Sequence, residues 1–320
     1  MKTRTLTILG LAIVVGLLVA CGGGGSGGGG GNNPPPPPPT LDEQLRAVIA
    51  AKGLTGDPTT GRGLPSINEP VAQLGKLLFF SKSLSGDMDT ACASCHHPAL
   101  GGGDALAMPV GTGAIDPDVV GPGRQRADGL PNVGRHSQSV FNVGLYDAAM
   151  FWDSRVESIG KEAGQNGAGS GIRTPESALH VADPLVAPGS SLVAAQARFP
   201  VVVPEEMLGS FMPGASPEAV RQRLAERIGD YGAGAGELPN NNWLAAFQAA
   251  FASAAPAEQL IPFDNIALAL GEYQRSMVFV DTPWKAYVQG DNSAISTSAK
   301  RGALLFYGDL NPGLACDQCH

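Results

Sequence analysis

Two short strings constrain this chain more than anything else in it. They are Cys92-Ala93-Ser94-Cys95-His96 and Cys316-Asp317-Gln318-Cys319-His320, both of the form C-x-x-C-H, and they use four of the five cysteines. Two thiols three positions apart on one helical turn can reach the two vinyl groups of a haem. The adjacent histidine then presents its imidazole to the iron. Paired cysteines also allow a C-x-x-C redox pair, or four thiolates pooled on one zinc. Neither explains a histidine at the same place twice.

The start of the chain is an export signal. Lys2 and Arg4 precede an uninterrupted apolar run over residues 8–20, too short to read as a membrane span. An exported chain meets an oxidising compartment, where free dithiols pair, which also weighs against a reduced redox pair or a thiolate zinc site. The signal closes on Leu18-Val19-Ala20-Cys21, which resembles the lipobox of bacterial lipoproteins; the alternative is a plain signal peptide with an incidental Cys21. Glycine broken once by Ser26 fills residues 22–31, and six prolines fill 34–39. Neither half can pack, because glycine runs are flexible coils and polyproline is extended, so residues 21–40 read as a tether. The resemblance implies a lipid anchor at Cys21 and an address on the outer membrane facing the periplasm.

Beyond the tether the periodicity is helical. Thr40-Leu41-Asp42-Glu43 has the form of a capping box and leads into Leu45, Val48 and Ile49 on one face. Ser216-Pro217 starts a run with Val220, Leu224 and Ile228 that ends at Gly229. Trp243, Phe247 and Phe251 form one stripe; Ile266, Leu270, Tyr273 and Met277 form another, and each reads as core. No long alternating pattern competes, so the expected class is mainly α. With 44 Gly and 26 Pro the body is expected to be loop-rich. A formal charge of −8 without a basic run excludes a nucleic-acid partner.

The surroundings of the two motifs repeat. Leu77-Leu78-Phe79-Phe80 lies fifteen residues before Cys92, and Leu304-Leu305-Phe306-Tyr307 lies twelve before Cys316. Each follows a basic step containing glycine, Gly75-Lys76 or Arg301-Gly302. Two related haem modules are expected. Here the sequence resembles the bacterial dihaem cytochrome c peroxidases and the MauG-like enzymes. The matching strings are residues 74–80, Leu84-Ser85-Gly86, the first motif with His97-Pro98, Phe151-Trp152-Asp153-Ser154-Arg155, Pro204-Glu205-Glu206-Met207, Ala267-Leu268-Ala269-Leu270 and Ala299-Lys300-Arg301-Gly302.

The resemblance implies two cytochrome c-like domains, a first over 41–255 with an insertion at about 156–190, and a second over 256–320 that is cut short. The family's distal Met or Tyr for the second haem comes later than His320, which implies a fragment. Two covalent haem c groups are implied, held by Cys92, Cys95 and His96 and by Cys316, Cys319 and His320, with His96 and His320 on iron. Trp152 matches the tryptophan between the haems, beside its plainer reading as a core anchor. Glu206 matches the acidic residue that moves a proton on bound peroxide. Gln196 matches a distal amide, beside its reading as a helix-surface glutamine.

There are departures from the family. Arg135 is followed by His136 where an Asn helps bind an interdomain calcium, and residues 124–134 contain no distal His. The first haem is therefore expected to have an open or water-bound sixth site. The implied activity is reduction of hydrogen peroxide with electrons from a small cytochrome c or cupredoxin, with a second copy of the chain as a candidate partner. Two alternatives stand beside it: a MauG-like oxidase of a protein or organic substrate, and a dihaem carrier without catalysis.

Overall fold

Glycine at position 75 lets two helices touch backbone to backbone, and the fold is organised around that crossing. The computed structural model of the chain describes residues 36–318. The segment read as a signal peptide, Cys21 and most of the segment read as a tether therefore lie outside the described residues, as do Cys319 and His320. The chain divides into two units, 1–40 and 41–320. Residues 36–40 of the first are exposed and without regular structure.

The described part of the second unit is mainly helical, with one small sheet. Its helices are α1 (Leu41–Lys52), α2 (Pro70–Phe80), α3 (Cys92–Cys95), α4 (Leu192–Gln196), α5 (Pro217–Gly229), α6 (Trp243–Phe251), α7 (Ala257–Leu260), α8 (Phe263–Ser276), α9 (Pro283–Val288) and α10 (Thr297–Phe306). The sheet is antiparallel in the order β1 (Ala149–Met150), β2 (Val156–Ser158), β3 (Ile172–Arg173). Met150 faces Val156, and Ser158 faces Ile172.

Each helix read from periodicity is present. Leu45, Val48 and Ile49 are buried on α1. The Ser216 hydroxyl accepts from the Ala219 amide at the start of α5, and Val220, Leu224 and Ile228 are buried along it. Phe247 is buried on α6, and Ile266, Leu270 and Tyr273 on α8.

The main core gathers the buried faces of α2, α5, α6 and α8. A second cluster packs the sheet against α4 through Met150, Val156, Ile172, Leu192 and Val193. A third joins Leu45, Val48 and Ile49 of α1 to Tyr287 and Leu304. α8 belongs to the core around the first motif, because it packs on α2 and α4, while α1 packs on α10. α2 and α8 approach closely at Gly75, where a Cβ would lie 1.8 Å from the Ala269 carbonyl oxygen.

The stretch expected as an insertion is anchored. It contains β2 and β3, and beyond them Glu176 takes Arg221 through both guanidinium nitrogens, at 3.0 and 2.5 Å. Arg221 is fully buried and also donates to Glu218 and to the Arg198 carbonyl. A buried guanidinium must have such partners, so Arg221 pins this stretch to α5.

Candidate functional site

The first motif forms the four-residue helix α3. The Ser94 hydroxyl accepts from the Ala91 amide, and the His96 amide donates to the Cys92 carbonyl. One turn is enough to put Cys92, Cys95 and His96 on one wall of a cavity of about 350 Å³. That size lies within the range of cofactor and ligand pockets. The rest of the lining includes the apolar residues Phe79, Val140, Val143, Val201, Met207 and Leu270.

His96 is held by its ring. Nδ1 lies 2.9 Å from the Gln138 carbonyl oxygen and 3.3 Å from that of Gly102. A carbonyl only accepts, so Nδ1 carries the proton and Nε2 keeps its lone pair, as an imidazole ligand requires. Burial holds this imidazole below its usual range, in the neutral form. Burial also pushes the Cys92 thiol up to about 12 and that of Cys95 to about 11. Neither cysteine is in a disulfide. Two protonated, unpaired thiols and one neutral imidazole on the wall of an apolar cavity fit a covalently attached porphyrin.

Glu206 lines the same cavity. It sits in a tight five-residue turn, Pro204–Leu208, whose wide π-type hydrogen bonding is a rare geometry that recurs at functional sites. Neighbours clamp the turn from two sides. The Thr112 amide and the Asn132 side chain donate to the Glu205 carbonyl, Thr112 Oγ1 donates to that of Pro204, and the Gly86 amide donates to that of Met207 at 2.7 Å. Burial raises the Glu206 carboxyl above its ordinary range, with Arg155 pulling it back and Glu205 adding to the rise.

Arg155 and Trp152 come from the turn between β1 and β2, and both line the cavity. Phe151 and Ser154 there adopt positive φ, 67° and 54°, which costs energy in residues with a side chain. Asp153 Oδ1 accepts from the Arg155 amide and from Nε, and the Arg155 guanidinium stacks over Phe151 at 4.4 Å. Trp152 is 70% exposed, so the reading as a core anchor falls away; Arg135 covers its ring at 4.2 Å. Gln196 ends α4, and its half-buried amide lines the cavity rather than an outer helix surface.

The cavity therefore brings together Cys92, Cys95, His96, Trp152, Gln196 and Glu206, all expected from sequence. It also takes in residues that sequence reasoning did not select. Leu270 and Gln274 of α8 line it, so the stripe read as core is also cavity wall. His136 lines it too, with Nδ1 2.8 Å from the Leu106 carbonyl oxygen. Arg124, outside the cavity lining, is buried and donates to the carbonyls of Gly111, Pro117 and Val119. A lone arginine without periodicity gives no sequence signal for that role. Of the second motif, Cys316 is exposed and Asp317 pairs with Lys52 at 2.5 Å, which ties the motif to α1.

A family model described as di-haem cytochrome c peroxidase matches residues 69–293, a stretch that contains every cavity residue named above. The chain belongs to that family. It is 28% identical over 259 residues to a cytochrome c551 peroxidase of Pseudomonas aeruginosa, covering 81% of this chain and 52% of the relative. It is 30% identical over 256 residues to the methylamine utilization protein MauG of Methylorubrum extorquens, covering 80% and 50%. The chain thus spans about half the length of these relatives. Among solved structures it is similar to a MauG-like protein associated with microbial copper homeostasis, with 20% identity, a TM-score of 0.45, and coverage of 78% of this chain and 54% of that one. The di-haem family implies haem c, and the first cavity has the residues to hold one. Among the described residues no helix is long and apolar enough to cross a membrane.

Proposed function

We propose that this protein reduces hydrogen peroxide to water with electrons from a small periplasmic cytochrome c or cupredoxin. The observation that carries this is Glu206, a carboxyl of raised proton affinity on the cavity that also holds Cys92, Cys95 and His96. Haem, when bound there, supplies the iron at which peroxide is reduced. The chain does the rest. Cys92 and Cys95 attach the cofactor and His96 Nε2 faces it. Glu206 takes a proton from one peroxide oxygen and returns it to the leaving one, a transfer worth about 10²–10⁴-fold in rate when a side chain is well placed. The Gln196 amide, free of any hydrogen bond to the described residues, orients the oxygens by donating to them. The apolar wall excludes bulk water and strengthens both interactions.

The second haem, on Cys316, Cys319 and His320, receives donor electrons, and Trp152 carries them toward the first site. The protein works in the periplasm, lipid-anchored at Cys21 to the outer membrane and held off it by the tether. Glu206→Gln tests the reading: peroxide turnover falls at least a hundredfold while both haem spectra survive. Retained turnover removes Glu206 from the mechanism. Cyanide binding to the oxidised protein separates this enzyme from a six-coordinate electron carrier.

A second reading has an observation of its own. Trp152 is an exposed indole on the cavity wall under a stacked Arg135, a placement suited to oxidising a substrate too large to enter, as in a MauG-like oxidase. Steady-state peroxide consumption with a reduced cytochrome favours the peroxidase; oxidation of an external protein without such turnover favours the oxidase.

A further inference from the structure

Tyr287, on α9, has no part in the cavity and is fully buried. Its phenol donates a 2.8 Å hydrogen bond to Asp42 Oδ1, on the first turn of α1. The same oxygen takes Lys300 Nζ at 2.7 Å. Lys300 and the phenol hold the Asp42 carboxyl below its usual range, so the acceptor is ionised. Burial first, and then the bond to Asp42, pushes the phenol up to about 12, so the donor is neutral. Arg46 lies over the ring at 4.5 Å and Lys300 at 5.4 Å. Packing alone does not call for this hydroxyl, because phenylalanine would fill the same space without a polar atom to satisfy.

The ring is part of an aromatic stack. Trp284 lies 6.0 Å from Tyr287 at 24°, and Tyr307 lies 6.3 Å from Trp284 at 26°. Tyr307 meets Phe306 edge-on at 5.1 Å and is close enough to feel the charge of Asp317, inside the second C-x-x-C-H motif. Indole and phenol are the side chains most readily oxidised by one electron after the sulfur-bearing ones. A phenol that loses an electron becomes strongly acidic, so its proton must leave at once. An ionised carboxylate at hydrogen-bond distance takes it without any atom having to move far. The two cations over the ring oppose a positively charged radical and favour the neutral one.

We propose that Tyr287 is a redox-active tyrosine that gives one electron through Trp284 and Tyr307 to the peroxide-oxidised protein and its phenolic proton to Asp42. This inference rests on the peroxidase reading above. Reduction of one hydrogen peroxide to two waters takes two electrons and two protons. In the donor-free protein one electron comes from Tyr287 and the other would come from the bound haem, while both protons come from solvent. The phenolic proton waits on Asp42 and returns when the donor re-reduces the phenoxyl. The device holds an oxidising equivalent away from the cofactor when the donor is scarce.

The test uses the full haem-loaded chain with hydrogen peroxide and no donor, frozen rapidly for electron paramagnetic resonance while cofactor absorption is followed in parallel. An organic radical signal is expected whose hyperfine lines collapse when the protein is made with ring-deuterated tyrosine. Tyr287→Phe, which keeps the packing of α1, α9 and α10, abolishes the signal, and Trp284→Leu, which interrupts the stack, lowers its yield. A cofactor band that responds to peroxide while the radical is absent, or is unchanged in Tyr287→Phe, overturns this proposal alone. A cofactor band that does not respond to peroxide at all overturns the peroxidase reading and this inference with it.

Discussion

Gly75→Ala tests the architecture that forms the cavity. A Cβ at position 75 would lie 1.8 Å from the Ala269 oxygen, 2.5 Å from its carbonyl carbon and 2.9 Å from Tyr273 Cβ. Two of these atoms are backbone, so no rotamer change relieves the contact. Restoring ordinary van der Waals distance means moving α2 from α8 by about 1.6 Å. Overpacking of this kind costs about 1–3 kcal/mol, with a backbone clash at the upper end. Replacing a helical glycine by alanine returns about 0.5–1 kcal/mol. The net expectation is a loss of about 2–2.5 kcal/mol, together with a disturbed cavity, because Phe79 of α2 and Leu270 and Gln274 of α8 are on its wall. Gly302 stands at the repeated position before the second motif, inside α10, where a Cβ meets nothing within 4 Å. Gly302→Ala should therefore stabilise by about 0.5–1 kcal/mol. Urea unfolding of the two variants beside the parent measures both signs. An unchanged or higher midpoint for Gly75→Ala would refute the close crossing of α2 and α8.

Other expectations follow from single groups. The raised Glu206 carboxyl binds its proton more tightly in the native chain than in the unfolded one, so its contribution to stability is present at low pH and is lost as pH rises through its native value. The same ionisation gates proton uptake from peroxide, so the rate of peroxide reaction should fall on acidification at a pH above the ordinary carboxylate range; Glu206→Gln should erase that step, and a step that persists assigns it to another group. Glu176→Gln removes half of the paired charge on buried Arg221 and should cost about 1–3 kcal/mol, discounted because the glutamate is partly exposed. Limited proteolysis within residues 160–190 should quicken in that variant, and equal resistance would show that this stretch is held by something else. Trp152→Phe changes an exposed side chain and should leave the unfolding midpoint within about 0.5 kcal/mol of the parent while slowing electron transfer between the haems. Unchanged transfer kinetics would take the indole out of the electron path.

Much of the helical framework could be read from the chain, because buried apolar residues on α1, α5, α6 and α8 recur at helical spacing and Ser216-Pro217 marks a start. The pairing of those helices could not. Whether α1 packs near the first motif or on α10 depends on contacts between residues more than 200 positions apart, and periodicity carries no such information. The three-stranded sheet was missed because its strands have two or three residues, too few to show alternation. Around the cavity, Cys92, Cys95 and His96 were legible from spacing alone, whereas Trp152, Gln196 and Glu206 entered through family resemblance. The carbonyls of Gln138 and Gly102 that fix the His96 tautomer are backbone atoms and leave no side-chain signature. Gly75 and Gly302 look equivalent in sequence, and only the packing tells the helix crossing from the open face.

A haem fastened through Cys92 and Cys95, with His96 toward its iron, is the central claim. Mass spectrometry of peptides from the purified, fully denatured protein tests this most directly. The account predicts that the peptide containing residues 92–96 carries the mass of one haem and absorbs in the Soret region. The same peptide recovered with free thiols, or with Cys92 joined to Cys95, would contradict it.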